Sequence, residues 1–293
     1  MAAFDFRYKL LAVESGMFLA IQLLAVFVGA IFVQKGLVQQ MPVQQALPSF
    51  LIAFAIAMVV MVAVLYFLKT PKTFGIFFAF IIFIGTEIVF EAFVPSLIAA
   101  ALAIIVVMVR VWKPNVLTHN IAIFLTIAGI SAQLGMMLPV PAVIIIILAL
   151  SVYDYLAVFK FKTMVKMFRQ MLERGAPFAI IVPESAEHFS EHVGKVSKEK
   201  LAQVEKRGKA KKSEKPRFMM LGTGDLAFPA VFAVSAYAQY NIAVSAAIIA
   251  GAMVGLVVNH YYLTKKFQAI PALPAIAVFS TLGFILSQLP SWI

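Results

Sequence analysis

Long apolar runs follow one another along the chain, broken by short polar links and by one long hydrophilic stretch. A helix needs about 20 mostly apolar residues to cross the hydrocarbon core of a bilayer. By that measure the runs at 13–33, 47–68, 74–90, 93–109, 117–138, 141–159, 218–238, 242–263 and 267–289 predict an all-α polytopic membrane protein with nine transmembrane helices. The third and fourth runs divide at Glu91 and Pro95. The first run is too long for a cleavable signal and lacks a small-residue cleavage site, so it reads as a true span. The pattern thus divides into an N-terminal six-helix membrane bundle (1–160), a largely mobile cytoplasmic loop (161–217) and a C-terminal three-helix bundle (218–293). Within the loop the apolar piece PFAIIVP (177–183) is too short to span, and is expected at the interface or over the inner mouth of the bundle.

Composition agrees. Of 293 residues 63% are hydrophobic and 13% charged, which excludes a soluble enzyme and a disordered chain alike. The net charge of +11 is a matter of topology and gives no reason to expect nucleic acid. With the N-terminus cytoplasmic and the C-terminus extracytoplasmic, every Lys and Arg of the 24 except Lys35 falls on the inner side. The segment 160–217 alone carries 15 basic and 7 acidic residues, and membrane lipid with anionic headgroups is the expected partner of this face. There is no cysteine, so disulfides, thiolate metal sites and cysteine nucleophiles are excluded.

Few acids enter the apolar runs. Asp154 lies six residues before Lys160, and Asp225 eight residues after Arg217. At 1.5 Å per residue these positions are about 9 and 12 Å from the inner face. A charge inside a span costs roughly 2.5–3.5 kcal/mol on insertion scales and usually marks function. Helices consecutive in sequence are usually neighbours, so the two carboxyl groups are expected to meet at one level. Two close carboxylates share a proton and titrate as a unit. One can then act as base on a water while the other polarises a carbonyl. The same pair could serve an ion or proton pathway, and the two acids alone leave both readings open.

Irregular backbone surrounds them. Asp225 ends Leu221-Gly222-Thr223-Gly224-Asp225 and is followed by Pro229; Asp154 follows Tyr153. Pro271-Ala272-Leu273-Pro274 opens the ninth run at about 7.5 Å depth by helical rise. Two prolines there interrupt the helical ladder, and non-helical backbone at membrane depth survives only against protein or water.

YD in the sixth run, GxGD in the seventh and PALP in the ninth together resemble the presenilin and signal peptide peptidase family of intramembrane aspartyl proteases, over essentially the whole chain. SVYDYLAVFK around Asp154, the following MVKMFRQMLERGAPF, PALP and the orientation look presenilin-like; Pro229 looks like signal peptide peptidase. The mixture resembles the microbial, chiefly archaeal, members. The resemblance implies that Asp154 and Asp225 are the catalytic pair. Tyr153, Leu221, Gly222, Thr223, Gly224, Pro271, Ala272, Leu273 and Pro274 would then shape the site and the substrate groove. It implies transmembrane helical peptides as substrates, no cofactor, no metal and no obligatory partner subunit, and it leaves homo-oligomers and self-cleavage of the loop open. A helical peptide bond in lipid must be unwound before it is cut, and the freed backbone groups need partners. Strand pairing with backbone near 217–221 or 271–274 would supply them.

Competing patterns are weaker. His188-Phe189-Ser190-Glu191-His192 matches the H-x-x-E-H zinc-protease pattern, with Glu184 a turn earlier, but lies in a hydrophilic segment without an apolar cleft. His119 and His260 lie near inner ends of spans and read as satisfied or solvated histidines. Thr126, Ser131 and Gln133 are expected to bond neighbouring helices. The remaining alternative is an ion or proton-coupled transporter or channel using Asp154 and Asp225, with PALP as a broken helix.

Overall fold

The computed structural model describes residues 2–38, 40–67, 70–157, 160, 163–175, 177–183, 185–206, 218–266 and 272–289. Six helices come first: α1 (Ala2–Gln34), α2 (Val43–Phe67), α3 (Pro71–Glu91), α4 (Ser96–Trp112), α5 (Val116–Met137) and α6 (Val140–Leu156). Then follow α7 (Thr163–Glu173), strand β1 (Ala179–Pro183), a 3-10 turn (Ala186–Ser190) and α8 (Val193–Lys206). Strand β2 (Phe218–Gly222) leads into α9 (Thr223–Gln239), and α10 (Ile242–Lys266) and α11 (Leu273–Gln288) complete the chain.

Local chemistry sets these boundaries. The N–H of Leu37 bonds to Phe32 O and that of Gly36 to Val33 O, with Gly36 at φ 68°, a left-handed close that glycine makes without a Cβ penalty. Pro71 takes the first turn of α3, where a missing N–H costs nothing, and the Thr70 side chain accepts the Thr73 N–H at 3.3 Å. Pro95 and Pro139 precede α4 and α6 at extended ψ.

Among the described residues five helices are long and apolar enough to cross a membrane: Leu11–Gln34, Val43–Val64, Lys72–Glu91, Val116–Met137 and Ile242–Tyr262. Shorter apolar helices are Ser96–Trp112, Val140–Leu156 and Leu273–Gln288. The run at 218–238, expected as one helix, is divided: its first five residues form β2 and helix begins only at Thr223. The described chain is mostly helical, as expected, with one addition in the same place: β1 and β2 make a two-stranded antiparallel sheet. The segment 161–217 holds α7, β1 and α8, and its residues 207–217 lie outside the described residues. Large apolar side chains such as Leu51, Ile52, Ile56 and Val59 of α2 are exposed, and none of the α2 window is buried. In water that would be untenable; in lipid it is ordinary.

The chain forms two compact units. The first comprises Met1–Glu14, Met58–Thr126 and Thr163–Thr223. Its core beside the sheet is Val116, Ile181, Val193, Val196 and Phe218, with Phe189 and Met220 packed against it. Every residue of β1 is buried. The second comprises Ser15–Ala57, Ile127–Lys162 and Gly224–Ile293. Here α10 and α11 meet along a seam of glycines: Gly251 faces the backbone of Phe279, Gly255 that of Ile276, and Gly283 that of Ala247. In lipid, where apolar burial gains nothing, such close backbone approach is what binds helices.

Candidate active site

Asp154 occupies the last turn of α6 and is buried, at 7% exposure. Ser151, one turn earlier, turns its hydroxyl back to Ile147 O at 2.6 Å, so it makes no demand on the acid. Asp225 is the third residue of α9 and half-buried. A single apolar cluster links the helices that bear them. Leu273, at the start of α11, packs with Ile147 and Ala277, and Leu150 and Phe228 pack against the three. Leu150 precedes Asp154 by one turn and Phe228 follows Asp225 by three residues, so each shares a helix face with its acid. Leu273 of PALP thereby shares one apolar cluster with residues on the acid-bearing faces of α6 and α9. Ser131 of α5 adds a tie, its hydroxyl donating to Ala227 O of α9 at 3.2 Å.

The remaining sequence candidates fall as follows. Ala272 and Leu273 are buried, each 4% exposed, and Pro274 is half-buried at the start of α11. Pro271 lies outside the described residues. Leu221 and Gly222 end β2, Thr223 opens α9, and all three are half-buried. Gly224 is exposed, and a Cβ built there meets nothing within 4 Å. Tyr153 is exposed.

A family profile described as signal-peptide peptidase, presenilin aspartyl protease matches residues 15–293. The chain belongs to this family. The fold of this presenilin and signal-peptide peptidase family member is similar to two solved structures, each of a presenilin family intramembrane aspartate protease. The first, in space group C222, has a TM-score of 0.65 and 20% identity, covering 96% of this chain and 99% of that one. The second, in space group P2, has a TM-score of 0.64 and 20% identity, covering 94% and 96%. At that identity the likeness shows the fold alone. No curated protein sequence matches the chain. Family and apolar helices together make it an integral, multi-pass membrane protein.

In this family member the zinc pattern of the loop is otherwise engaged. His188 Nδ1 lies 2.8 Å from Glu191 Oε1, and His192 Nδ1 accepts the Gly194 N–H at 3.0 Å. Among the described residues no group of three or more His, Asp or Glu side chains is placed to hold a metal ion, and Glu184 lies outside them. Two polar residues of α5 differ from expectation. Thr126 bonds Ala122 O and Gln133 bonds Met137 Sδ, both within their own helix, because a side chain without a polar neighbour opposite satisfies itself on the turn before or after. His119 is fully buried with Nε2 on Ala179 O, and His260 is buried as well. What sequence reasoning missed is the strand pair that leads into Asp225. Its one signal was a five-residue apolar piece, AIIVP, too short for a span and ending in proline.

Proposed function

We propose that this chain is an intramembrane aspartyl endopeptidase of the GxGD type, hydrolysing peptide bonds within transmembrane helices with Asp154 and Asp225 as its acid/base pair. The observation that carries the reading is the common packing of Leu273 with α6 and α9 on the faces bearing the two acids. The pair divides one proton. The ionised carboxylate removes a proton from water, and the water oxygen attacks the scissile carbonyl carbon. The protonated partner hydrogen-bonds the carbonyl oxygen, and a proton is then delivered to the departing amide nitrogen. The two roles belong to the pair and exchange during the cycle.

The open space at Gly224 is where a substrate backbone can pass beside Asp225. The unwound substrate finds hydrogen-bond partners by pairing with β2, in keeping with the need to satisfy backbone groups at membrane depth. Nine spans, with the N-terminus cytoplasmic and the C-terminus extracytoplasmic, complete the reading: six from 1–160 and three from 218–293, around the cytoplasmic segment 161–217. Substrates are single transmembrane helices, and the chain needs no cofactor and no partner subunit.

The test is cleavage of a defined membrane-spanning peptide by the purified full chain in lipid vesicles, with products read by mass spectrometry. Aspartyl transition-state mimics are expected to block it. Asp154→Ala and Asp225→Ala are each expected to lower the rate by at least about 10²-fold, the lower end for loss of a general acid or base. Cleavage retained in either variant would falsify the assignment.

A further inference from the structure

The outer edge of β1 is held by two side chains where a sheet would have another strand. The register pairs Ala179 with Gly222, Ile180 with Leu221 and Ile181 with Met220, and one step further Thr223 N–H donates to Phe178 O at 3.3 Å. In an antiparallel ladder, alternate residues turn their N–H and C=O to opposite sides. Phe178, Ile180 and Val182 therefore address β2, while Ala179 and Ile181 address the far side.

Helix α5 stands there. Asn120 Nδ2 donates to Ile181 O at 2.7 Å, and Asn120 Oδ1 accepts the Ile181 N–H at 2.9 Å. His119 Nε2 donates to Ala179 O at 3.1 Å. Because a carbonyl can only accept, this contact fixes the Nε2–H tautomer. The two side chains are 0% and 5% exposed. A carboxamide offers a donor and an acceptor side by side, as a strand residue does, so Asn120 completes the ladder at Ile181. The His119 ring stacks on Phe78 at 5.8 Å and 8°, and Phe78 meets Phe178 edge-on at 4.7 Å. The residue just before β1 is thus gripped by the same assembly.

We infer that His119 and Asn120 are positioning residues for peptide-bond cleavage. They seal one edge of the strand pair, so that an extended substrate can add only along β2, where Met220 and Gly222 address the outer side. They also fix the register in which Phe178 holds Thr223, the first residue of α9 and two residues before Asp225. The inference rests on the proteolytic reading above. Without the seal, β1 would present a second edge in a different frame, and the substrate would be cut at shifted bonds.

The test uses the full chain carrying Asn120→Leu, close in volume but unable to pair with Ile181. Hydrogen exchange at 179–183 is measured alongside steady-state cleavage of a defined transmembrane peptide. Exchange at Ile181 is expected to rise about tenfold or more, as for any amide released from a closed ladder. The kcat is expected to fall about tenfold to a hundredfold, the effect of small misplacement at a site. The KM should stay within about twofold, since the β2 edge remains and a second edge only adds a way to bind, and the cut positions should spread to neighbouring bonds. His119→Leu should repeat the defect. His119→Gln, which keeps a donor for Ala179 O, should restore the cut positions, and this pair decides the matter if Asn120→Leu does not fold. Unchanged exchange overturns the clamp. Raised exchange with wild-type kcat and cut positions overturns the positioning role. A wild-type chain that cuts nothing overturns the proteolytic reading and the positioning role with it, while exchange still decides whether the clamp exists.

Discussion

Adding one methyl group to Gly251 should weaken both the fold and the site. A Cβ there would lie 2.2 Å from Phe279 O, 2.9 Å from Phe279 C and 3.1 Å from Ser280 Cα. A carbon against a carbonyl oxygen rests at about 3.3 Å or more, so the facing backbone must retreat by about 1 Å. Gly283 against Ala247, at 2.3 Å, and Gly255 against Ile276, at 2.6 Å, close the same seam and leave little room for α11 to pivot. Two effects compete. Alanine favours the helix over glycine by about 1 kcal/mol, while overpacking costs about 1–3 kcal/mol. A 1 Å overlap with backbone has no flexible side chain to yield, so the second effect wins. The displacement is felt at Leu273, six residues or about 9 Å along α11, and hence at the contact with Ile147, Leu150 and Phe228. Cleavage should fall by up to about 10²-fold, since a 1 Å misplacement can cost that much. Thermal unfolding in detergent and the rate of peptide cleavage read the two consequences. Gly75→Ala is the control, because nothing lies within 4 Å of its Cβ and only helix propensity operates there. A Gly251→Ala protein with the melting temperature and rate of the parent refutes the reasoning.

Two further outcomes follow from the site. Gly224→Ala meets no protein atom within 4 Å, so unfolding should be unchanged while kcat/KM falls about tenfold from crowding of the substrate backbone; an unaltered rate would remove Gly224 from the groove. The double variant His188→Ala with His192→Ala, and treatment with a zinc chelator, should leave cleavage within about twofold of the parent, because both histidines bond within the loop; loss of activity under either would revive the metal reading.

The sequence disclosed whatever depends on the chain's own hydrophobicity. The run at 117–138 became Val116–Met137 and the run at 242–263 became Ile242–Lys266, because helix formation in an apolar medium satisfies the backbone locally and needs no partner. Asp154, Asp225 and the prolines of PALP stand out in the sequence because an acid or a broken ladder in an apolar run is costly. The sheet was not. AIIVP and FMMLG are short, are not alternating, and lie far apart in the chain, so nothing local tells either that the other exists. Asn120 was passed over for the same reason: a carboxamide in an apolar helix reads as glue for a neighbouring helix, and its partner, Ile181, is 61 residues away. The misreading of Thr126 ran the other way, a bond to another helix being expected where the preceding turn sufficed.

The helices are of unequal length, and the bilayer must accommodate them all. Among the described residues α4, α6 and α9 have 17 helical residues each and α11 has 16, or about 24–26 Å of rise, against a hydrocarbon slab of about 30 Å. α2 and α10, at 25 residues each, exceed it. A bilayer of that thickness is expected to thin beside the shorter helices, and these include all three that carry the motifs, α6, α9 and α11. Thinning there would shorten the journey of a hydrolytic water to a carboxyl group, and it would make acyl-chain length an experimental handle on turnover that requires no change to the protein.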